Sequence, residues 1–327
     1  MNILVTGGAG FIGSHLAEAL VKRGHRVRVL DDFFSGHREN LAPVKRDVEI
    51  LRGDCADARA ARRAVKGIEV VFHEGAIPSV ARSVADPLRS RRANGTATLT
   101  MLLAARDAGT RRFIYASSSS VYGDTPTLPK REMMTPNPLS PYAAEKLSGE
   151  HYLRMFHRLF GLETLSLRYF NIFGPRQDPS SPYSGVISRF ATALIAGETP
   201  VIYGDGLQSR DFTYVGNVVD ANLKALAARK LEGQAVNIAT GHRVTLRALL
   251  AVMARALGAP AEARHEPARA GDVRHSLADV TRARRLLGYR PRWGLDEGLE
   301  KTMAWYRESY RPRPDRGRAA GTSARRR

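Results

Sequence analysis

Residues 1–16, MNILVTGGAGFIGSHL, place an apolar run, a cluster of glycines and an amphipathic segment in immediate succession. The first five residues predict a short buried strand, and Ile12, Leu16 and Leu20 recur at helical spacing. The glycines between them permit a tight turn and let a ligand approach the backbone closely. A helix that begins after such a turn offers free N–H groups and the positive end of its dipole. The stretch therefore predicts a strand, turn and helix that bind a pyrophosphate.

The glycine spacing and a downstream acidic pair indicate which pyrophosphate binds. Gly7, Gly10 and Gly13 fit a dinucleotide-binding fingerprint. A second apolar run ends in Asp31 and Asp32, about twenty residues further on. An acidic side chain at that point hydrogen-bonds the adenosine ribose and repels a 2′-phosphate. We therefore predict NAD, rather than NADP, as the cofactor.

Length and composition are those of a globular enzyme. The chain has 327 residues, of which 43% are hydrophobic and 25% charged, and it can form a large domain with a smaller second lobe. No apolar run reaches the ~18 residues of a membrane span, and the strand at the start leaves no room for a signal peptide. The single cysteine, Cys55, excludes an internal disulfide framework and a cysteine-rich zinc site. We expect a cytoplasmic protein without a membrane partner or a metal.

The formal net charge of +19 raises the question of nucleic-acid binding. Arginine use is high throughout, since only eight of the 51 basic residues are lysines. Part of the excess lies in the Pro-, Gly- and Arg-rich tail 311–327, which we predict to be disordered. A positive surface also attracts an anionic, phosphate-bearing substrate. We favour that explanation over a nucleic-acid partner.

Apolar runs alternate with helical patterns through the first half of the chain. This alternation predicts an α/β fold, a doubly wound parallel Rossmann sheet with helices on both faces. The predicted strands are 3–5, 27–30, 48–51, 70–73, 113–116 and 162–167, and the predicted helices lie near 13–23, 57–65, 94–108, 246–257 and 295–306.

The pattern changes after about residue 170, where loops and short pieces follow, and 236–239 could rejoin the sheet as a further strand. A smaller, discontinuous α/β lobe is therefore expected to bind the substrate. The predicted domains are 1–170 plus about 212–240 for NAD, and about 171–211 and 241–310 for the substrate.

Two residues four positions apart form the candidate reactive pair. Tyr142 and Lys146 fall on one face of a helix that starts near Ser140. An ammonium near a phenol favours the phenolate and lowers the pKa of the tyrosine towards neutrality. The same lysine could hold the hydroxyls of the nicotinamide ribose. The spacing therefore predicts Tyr142 as a base and Lys146 as its activator.

Four serines, 117–120, follow the predicted strand 113–116 at the edge where parallel sheets bind ligands. A hydroxyl there can hydrogen-bond a substrate oxygen as its proton leaves. A polar turn without a chemical role is the alternative interpretation.

The chain resembles the extended short-chain dehydrogenase/reductase family, and within it the nucleotide-sugar 4-epimerases. The resemblance covers residues 1 to about 308, with the motifs in the family's order. It implies a homodimer built by a helical bundle. The matching segments are 6–16, 31–32, 53–54, 73–83, 94–96, 117–123, 142 with 146, 167–175, 206–211 and 271–276.

The resemblance implies a role for each matching residue on the cofactor side. Tyr142 would be the proton-shuttling base, Lys146 its activator and a ribose ligand, and Ser118 the group that hydrogen-bonds the sugar 4-oxygen. The other cofactor-binding residues that it implies are Gly7, Gly10, Phe11, Ile12, Gly13, Asp31, Asp32, Asp54, Cys55, Asn94 and Tyr169.

On the substrate side the resemblance implies contacts with a nucleoside diphosphate. Asn171, Arg210 and Arg269 would meet the diphosphate and Asp272 its ribose, and the planar guanidinium fork of arginine suits phosphate oxygens. Further substrate-binding residues that it implies are Ser79, Val80, Val186, Tyr203 and Ser276.

Differences from related enzymes exclude two of the family's reactions. The family's 4,6-dehydratases carry an Asp-Glu pair directly after the catalytic Ser or Thr, and its decarboxylases keep the Glu. Here both positions are serines, Ser119 and Ser120, which leaves no carboxylate for either reaction. Glu74 is also unusual, since the position is often apolar or an amide, and the sequence suggests no role for it.

The resemblance further predicts which hexose is accepted. Ser276 falls where the 4-epimerases place a residue beside the sugar 2-position, and a small residue there admits an N-acetyl group. We therefore predict that UDP-GlcNAc and UDP-GalNAc are accepted, with UDP-Glc and UDP-Gal as possible main or second substrates.

Three alternatives remain open at this stage. The same scaffold could epimerise UDP-glucuronate or carry out another nucleotide-sugar reaction such as a net reduction. The chain could also be a noncatalytic NAD-binding regulator. The basic tail could bind nucleic acid.

Overall fold

The computed structural model describes residues 1–178, 185–268 and 273–309. Strands and helices alternate through its first half. The strands are β1 (Asn2–Thr6), β2 (Arg26–Asp31), β3 (Val48–Arg52), β4 (Val70–His73), β5 (Arg112–Ser118), β6 (Glu163–Tyr169), β7 (Ile172–Phe173), β8 (Val201–Tyr203), β9 (Ser209–Arg210), β10 (Thr213–Tyr214), β11 (Glu232–Ile238), β12 (Val244–Thr245) and β13 (Arg264–Glu266). The α-helices are α1 (Phe11–Val21), α2 (Ala58–Val65), α3 (Val80–Ala85), α4 (Pro87–Arg91), α5 (Ala97–Asp107), α6 (Pro141–Phe160), α7 (Val186–Ile195), α8 (Val215–Ala227), α9 (Leu246–Leu257), α10 (Thr281–Leu287) and α11 (Leu295–Ser309).

A seven-stranded parallel sheet forms the centre of the fold, in the order β11-β6-β5-β4-β1-β2-β3. The strand order changes direction at β1, which pairs with both β2 and β4. Such a switch point opens a crevice at the carboxyl ends of the strands. β11 pairs in parallel with β6, so the segment 236–239 rejoins the sheet as predicted. The doubly wound parallel sheet is confirmed.

Both faces of the sheet are covered near its centre, which explains the unbroken apolar runs of β1 and β4. Ile3 and Val5 pack into one hydrophobic cluster, while Leu4 between them packs into another on the opposite face. A separate cluster, which includes Phe190 and Met253, lies among the elements that follow β6.

Segments from the second half of the chain pack on the sheet as well. Val218 and Ala221 of α8 belong to the cluster that contains Ile3. Ala283 and Leu287 of α10 join the same cluster, although the sequence assigned them to the second lobe. We propose the domain division predicted from the sequence, with α10 packed against the NAD-binding part.

Arg112, at the start of β5, ties α8 to the sheet. Its side chain is 3% exposed and donates to the carbonyl oxygens of Ala225, Leu226 and Ala228 at 2.6–2.8 Å. The last carbonyls of a helix have no partner inside it and carry partial negative charge. The guanidinium satisfies them, and Glu163 accepts its Nε–H at 2.7 Å.

We therefore predict that Arg112→Met lowers the free energy of unfolding by about 3 kcal/mol, because three carbonyls and a carboxylate lose a buried partner. Arg111→Met is the matched control, since Arg111 pairs with the same Glu163 oxygen at 3.0 Å but is 48% exposed. That change is expected to cost less than about 1 kcal/mol. Urea unfolding measures both; equal losses would contradict the assignment.

Candidate active site

A cleft of about 1320 Å³ lies at the carboxyl ends of the strands. Most of the predicted site residues converge on it from segments far apart in the chain. Those that line it are Gly7, Gly10, Phe11, Ile12, Gly13, Asp31, Asp32, Asp54, Cys55, Ser79, Val80, Ser118, Tyr142, Lys146, Tyr169, Asn171, Val186, Tyr203, Arg210 and Ser276. Arg269 and Asp272, and the basic tail 311–327, lie outside the described residues.

The glycine turn between β1 and α1 forms one end of the cleft. Gly7 has a φ of +63°, and a Cβ added to Gly13 would lie 2.2 Å from the Gly7 carbonyl oxygen. α1 begins directly after Gly10, and no side chain caps its first N–H groups. Those donors need a partner. An uncapped helix end beside a glycine turn fits a dinucleotide pyrophosphate.

The acidic residues after β2 and β3 hold backbone and side chains in place around the cleft. Asp31 accepts hydrogen bonds from the backbone N–H groups of Ala9 at 2.9 Å and Phe33 at 2.8 Å, and its burial raises its pKa. Asp32, by contrast, is exposed. Asp54 is paired with Arg92 at 2.8 Å. Ribose binding by these carboxylates stays a prediction.

Cys55 lines the cleft beside Asp54. Burial raises the pKa of its thiol to about 12. A thiol in that state is not a nucleophile at neutral pH.

Ser118, Tyr142 and Lys146 come together at the carboxyl end of β5. Ser140 caps α6 by accepting a hydrogen bond from Ala143 N–H at 3.2 Å. In the helix that begins there, Tyr142 and Lys146 lie one turn apart on the same face. Ser118 Oγ accepts a hydrogen bond from the Ser120 backbone N–H at 3.2 Å and lines the cleft together with Tyr142. The Lys146 ammonium donates to the Ala116 carbonyl oxygen at 2.8 Å and lies 5.8 Å from the centre of the Tyr142 ring.

Burial opposes the lowering of the tyrosine pKa that the sequence predicts, and the activation of Tyr142 by Lys146 stays a prediction. Burial raises the pKa of Tyr142 to about 12, an effect that the nearby Ser118 partly offsets. Burial also lowers the pKa of Lys146 to about 8, against the attraction of Glu74. Loss of solvation is thus the largest influence on the pKa of both groups.

Asn94 does not line the cleft, although the sequence predicted it to bind the cofactor. Its buried side chain accepts a hydrogen bond from the Ile77 backbone N–H at 3.0 Å and donates to Ser90 Oγ at 3.2 Å. It therefore supports, from behind, the loop that follows β4.

The predicted substrate residues lie around the far side of the cleft. Asn171 has a φ of +42°, and its amide donates to the Asp211 carbonyl oxygen at 3.0 Å and to Ser276 Oγ at 3.4 Å. Arg210 donates to the carbonyl oxygens of Ser209 and Arg274, both at 3.1 Å. The structure thus brings Asn171 and Ser276 into contact across 105 positions of sequence.

Some buried polar atoms in the cleft have no hydrogen-bond partner among the described residues. In the described part of the chain, the buried Ser120 Oγ and Gln208 Oε1 have no hydrogen-bond partner, while Gln208 Nε2 donates to the Tyr203 carbonyl oxygen at 2.6 Å. Buried polar atoms are nearly always paired, so a bound molecule is expected to meet them. The motif GDGLQSRD at 204–211 was the available signal for Gln208.

Glu74, for which the sequence suggested no role, also lines the cleft. Tyr169 donates to Glu74 Oε1 at 2.8 Å, and the Asn222 amide donates to the same Tyr169 hydroxyl at 2.8 Å. Burial raises the pKa of Glu74 to about 7, although the Tyr169 hydrogen bond and Lys146 lower it.

The described ranges hold neither a metal-ligating cluster nor a membrane-spanning helix. In residues 1–178, 185–268 and 273–309, no three His, Cys, Asp or Glu side chains are placed to hold a metal ion. Within those same ranges, no helix has both the length and the apolar character of a membrane span.

Comparison with known proteins identifies the family. A family model described as the NAD dependent epimerase/dehydratase family matches residues 3–239. The UDP-glucose 4-epimerase of Mycolicibacterium smegmatis is 43% identical over 311 residues, which cover 94% of this chain and 99% of that protein.

Two solved structures share the fold over nearly the whole chain. The UDP-N-acetylglucosamine 4-epimerase of Methanobrevibacter ruminantium, in complex with UDP-N-acetylmuramic acid, is 39% identical with a TM-score of 0.91, covering 94% of this chain and 99% of that one. The UDP-glucose 4-epimerase of Thermus thermophilus, in complex with NAD, is 37% identical with a TM-score of 0.87, covering 95% and 100%. The resemblance and the NAD prediction are confirmed, and the chain belongs to the NAD-dependent epimerase/dehydratase family.

Proposed function

We propose that the protein interconverts the C4 epimers of a UDP-hexose and retains NAD through the reaction. One observation carries the proposal: Ser118, Tyr142 and Lys146, the last 5.8 Å from the centre of the Tyr142 ring, share a cleft with the uncapped glycine turn. Relatives named UDP-sugar 4-epimerases, similar over 94% of the chain, support it.

The residues around the cleft fit NAD. The N–H groups at the start of α1 would hold its pyrophosphate, Asp31 the adenosine ribose, and Lys146 the nicotinamide ribose. When bound, NAD supplies a positively charged ring that accepts the C4 hydrogen with its electron pair and returns it to the opposite face.

Tyr142 takes the proton of the sugar 4-hydroxyl as the C4 hydrogen leaves. Ser118 donates to the same oxygen and keeps it within reach of the phenol. Burial raises the pKa of Tyr142 to about 12, so the phenolate that accepts this proton has to be stabilised. We assign that role to the Lys146 ammonium, one helical turn away. After the sugar has turned, Tyr142 returns the proton to the same oxygen.

The nucleotide has to stay bound while the sugar turns. Asn171, Arg210, Arg269 and Asp272 are the residues that we propose for the UDP group. Binding energy from this nonreacting part keeps the oxidised sugar in place.

The residues beside Ser118 support epimerisation over elimination or decarboxylation. Ser119 and Ser120 carry no carboxyl group, so neither can act as the additional acid or base that those reactions need. The unpaired Ser120 hydroxyl can hydrogen-bond a sugar hydroxyl instead.

The proposed substrates are UDP-GlcNAc and UDP-GalNAc, UDP-Glc and UDP-Gal, or both pairs. Ser276 is small and contacts Asn171 in the cleft, which leaves room for an N-acetyl group. The test is incubation of the purified protein with UDP-Glc, UDP-GlcNAc and UDP-glucuronate, without added NAD, followed by sugar analysis. Product only on addition of NADPH would instead indicate a reductase.

Tyr142→Phe removes the proton-accepting oxygen and keeps the ring. We expect kcat to fall by about a thousandfold with NAD content unchanged, since general-base catalysis contributes roughly 10² to 10⁴. Tyr152→Phe, on the same helix but outside the cleft, serves as the control and should keep full activity. An unimpaired Tyr142→Phe variant would show that the phenol is not the base.

Ser276→Tyr places a large ring where the N-acetyl group is expected. We predict at least a hundredfold loss of kcat/KM for UDP-GlcNAc with little change for UDP-Glc, because overpacking penalises only the bulkier sugar. Ser276→Ala, the control, should accept both. Equal losses on both sugars would refute the placement of residue 276 beside the sugar 2-position.

A further inference from the structure

Glu74 occupies the point where the cofactor side of the cleft meets the reacting groups. It follows β4 directly, and a Cβ added to Gly7 would lie 3.0 Å from its carbonyl carbon. Its side chain lines the cleft together with Tyr142 and Lys146. A carboxyl group is therefore built in beside the residues that would surround the nicotinamide, yet the reaction as described assigns it no step.

The hydrogen bonds behind Glu74 favour its charged form. The Asn222 amide donates both to the Val218 carbonyl oxygen at 3.0 Å and to the Tyr169 hydroxyl at 2.8 Å. Since Val218 O can only accept, the NH₂ group of Asn222 must lie on this side. The Tyr169 hydroxyl, which accepts from Asn222, has its own proton free for Glu74 Oε1 at 2.8 Å.

Lys146 is the cation that attracts this carboxylate. Burial raises the pKa of Glu74 and lowers that of Lys146 on α6, and the attraction between the two side chains partly offsets both shifts. The remaining neighbours are neutral near pH 7: burial lowers the pKa of His73 to about 3 and raises those of Tyr142 and Tyr169. Glu74 is therefore the group whose charge opposes that of Lys146.

We propose that Glu74 controls how readily bound NAD is reduced. Its carboxylate stabilises the positively charged, oxidised nicotinamide and opposes uptake of a hydrogen with its electron pair, which neutralises the ring. Protonation of the carboxyl removes that opposition. The protein thereby limits reduction of NAD when no oxidised sugar is positioned to take the electrons back.

The test uses the purified protein with its bound NAD and sodium cyanoborohydride, which transfers a hydrogen with two electrons from boron to the nicotinamide ring. The near-ultraviolet absorbance of reduced nicotinamide gives the rate, and no sugar is required. At about pH 6 we expect the bound NAD of the Glu74→Gln variant to be reduced as fast as that of wild type, because the side chain at position 74 is neutral in both proteins. At about pH 7.5 the variant should be about threefold faster, because most of the wild-type carboxyl, with a pKa of about 7, is then ionised. The ratio cannot exceed about four, since roughly a quarter of that carboxyl is still protonated.

Glu132→Gln is the matched control, since Glu132 is a partly buried carboxyl with a raised pKa that lines a different cleft. Its rate should equal that of wild type at both pH values. A Glu74→Gln rate that also equals wild type at both pH values would overturn the proposal.

Tyr169→Phe provides a second variant in case Glu74→Gln does not retain NAD. It keeps the carboxyl but removes a hydrogen bond that lowers the pKa of Glu74, so more of the carboxyl is protonated at about pH 7.5 and reduction should be faster than in wild type. No acceleration would overturn the proposal. The inference rests on the NAD-binding cleft of the proposed function; failure of epimerisation itself would appear as unchanged sugar in the UDP-hexose assay, which this measurement does not involve.

Discussion

Close contact of backbone with backbone at the ends of β1 and β4 is the constraint on which the site depends. A Cβ on Gly7 would lie 2.7 Å from Gly75 Cα, and one on Gly13 would lie 2.2 Å from the Gly7 carbonyl oxygen. The absence of a side chain at Gly7, Gly13 and Gly75 lets the strand, the turn and the helix approach one another this closely. The contact brings the uncapped start of α1 into the cleft and carries Glu74, next to Gly75, to the same place.

Local patterns predicted the parts of this structure that local interactions determine. The sheet strands, α9 at 246–257 and the pair Tyr142 and Lys146 follow from periodicity and spacing, because burial on a strand or helix face imposes those periods. The bounds of α7 and α8 did not follow. α8 passes from one hydrophobic cluster to another, since Val215 belongs to one and Val218 to the other. Its end is held by Arg112, more than 100 positions away in sequence. No local pattern encodes such a contact.

Burial accounts for most of what the sequence could not predict in the site. Spacing placed an ammonium one turn from a phenol, and the expected outcome was a lowered tyrosine pKa. In the folded chain the loss of water raises the pKa of Tyr142 and lowers that of Lys146, so each residue is held closer to its neutral form. Asn94 does not line the cleft as predicted, for a related reason. A buried amide needs hydrogen-bond partners within the protein, and Asn94 finds one in the Ile77 backbone.

The helix that presents its N-terminus to the cleft also anchors the start of the proposed substrate lobe. Burial lowers the pKa of His15 on α1 to about 4, so its neutral ring donates Nε2–H to the Pro175 carbonyl oxygen at 2.9 Å. Arg176, held at a φ of +66°, pairs with Glu18 of the same helix. An epimerase must let a sugar turn while the cofactor and the nucleotide keep their separation, because the hydrogen has to return to the same carbon. Fixing both binding regions to one helix meets that requirement, since any displacement of α1 moves them together.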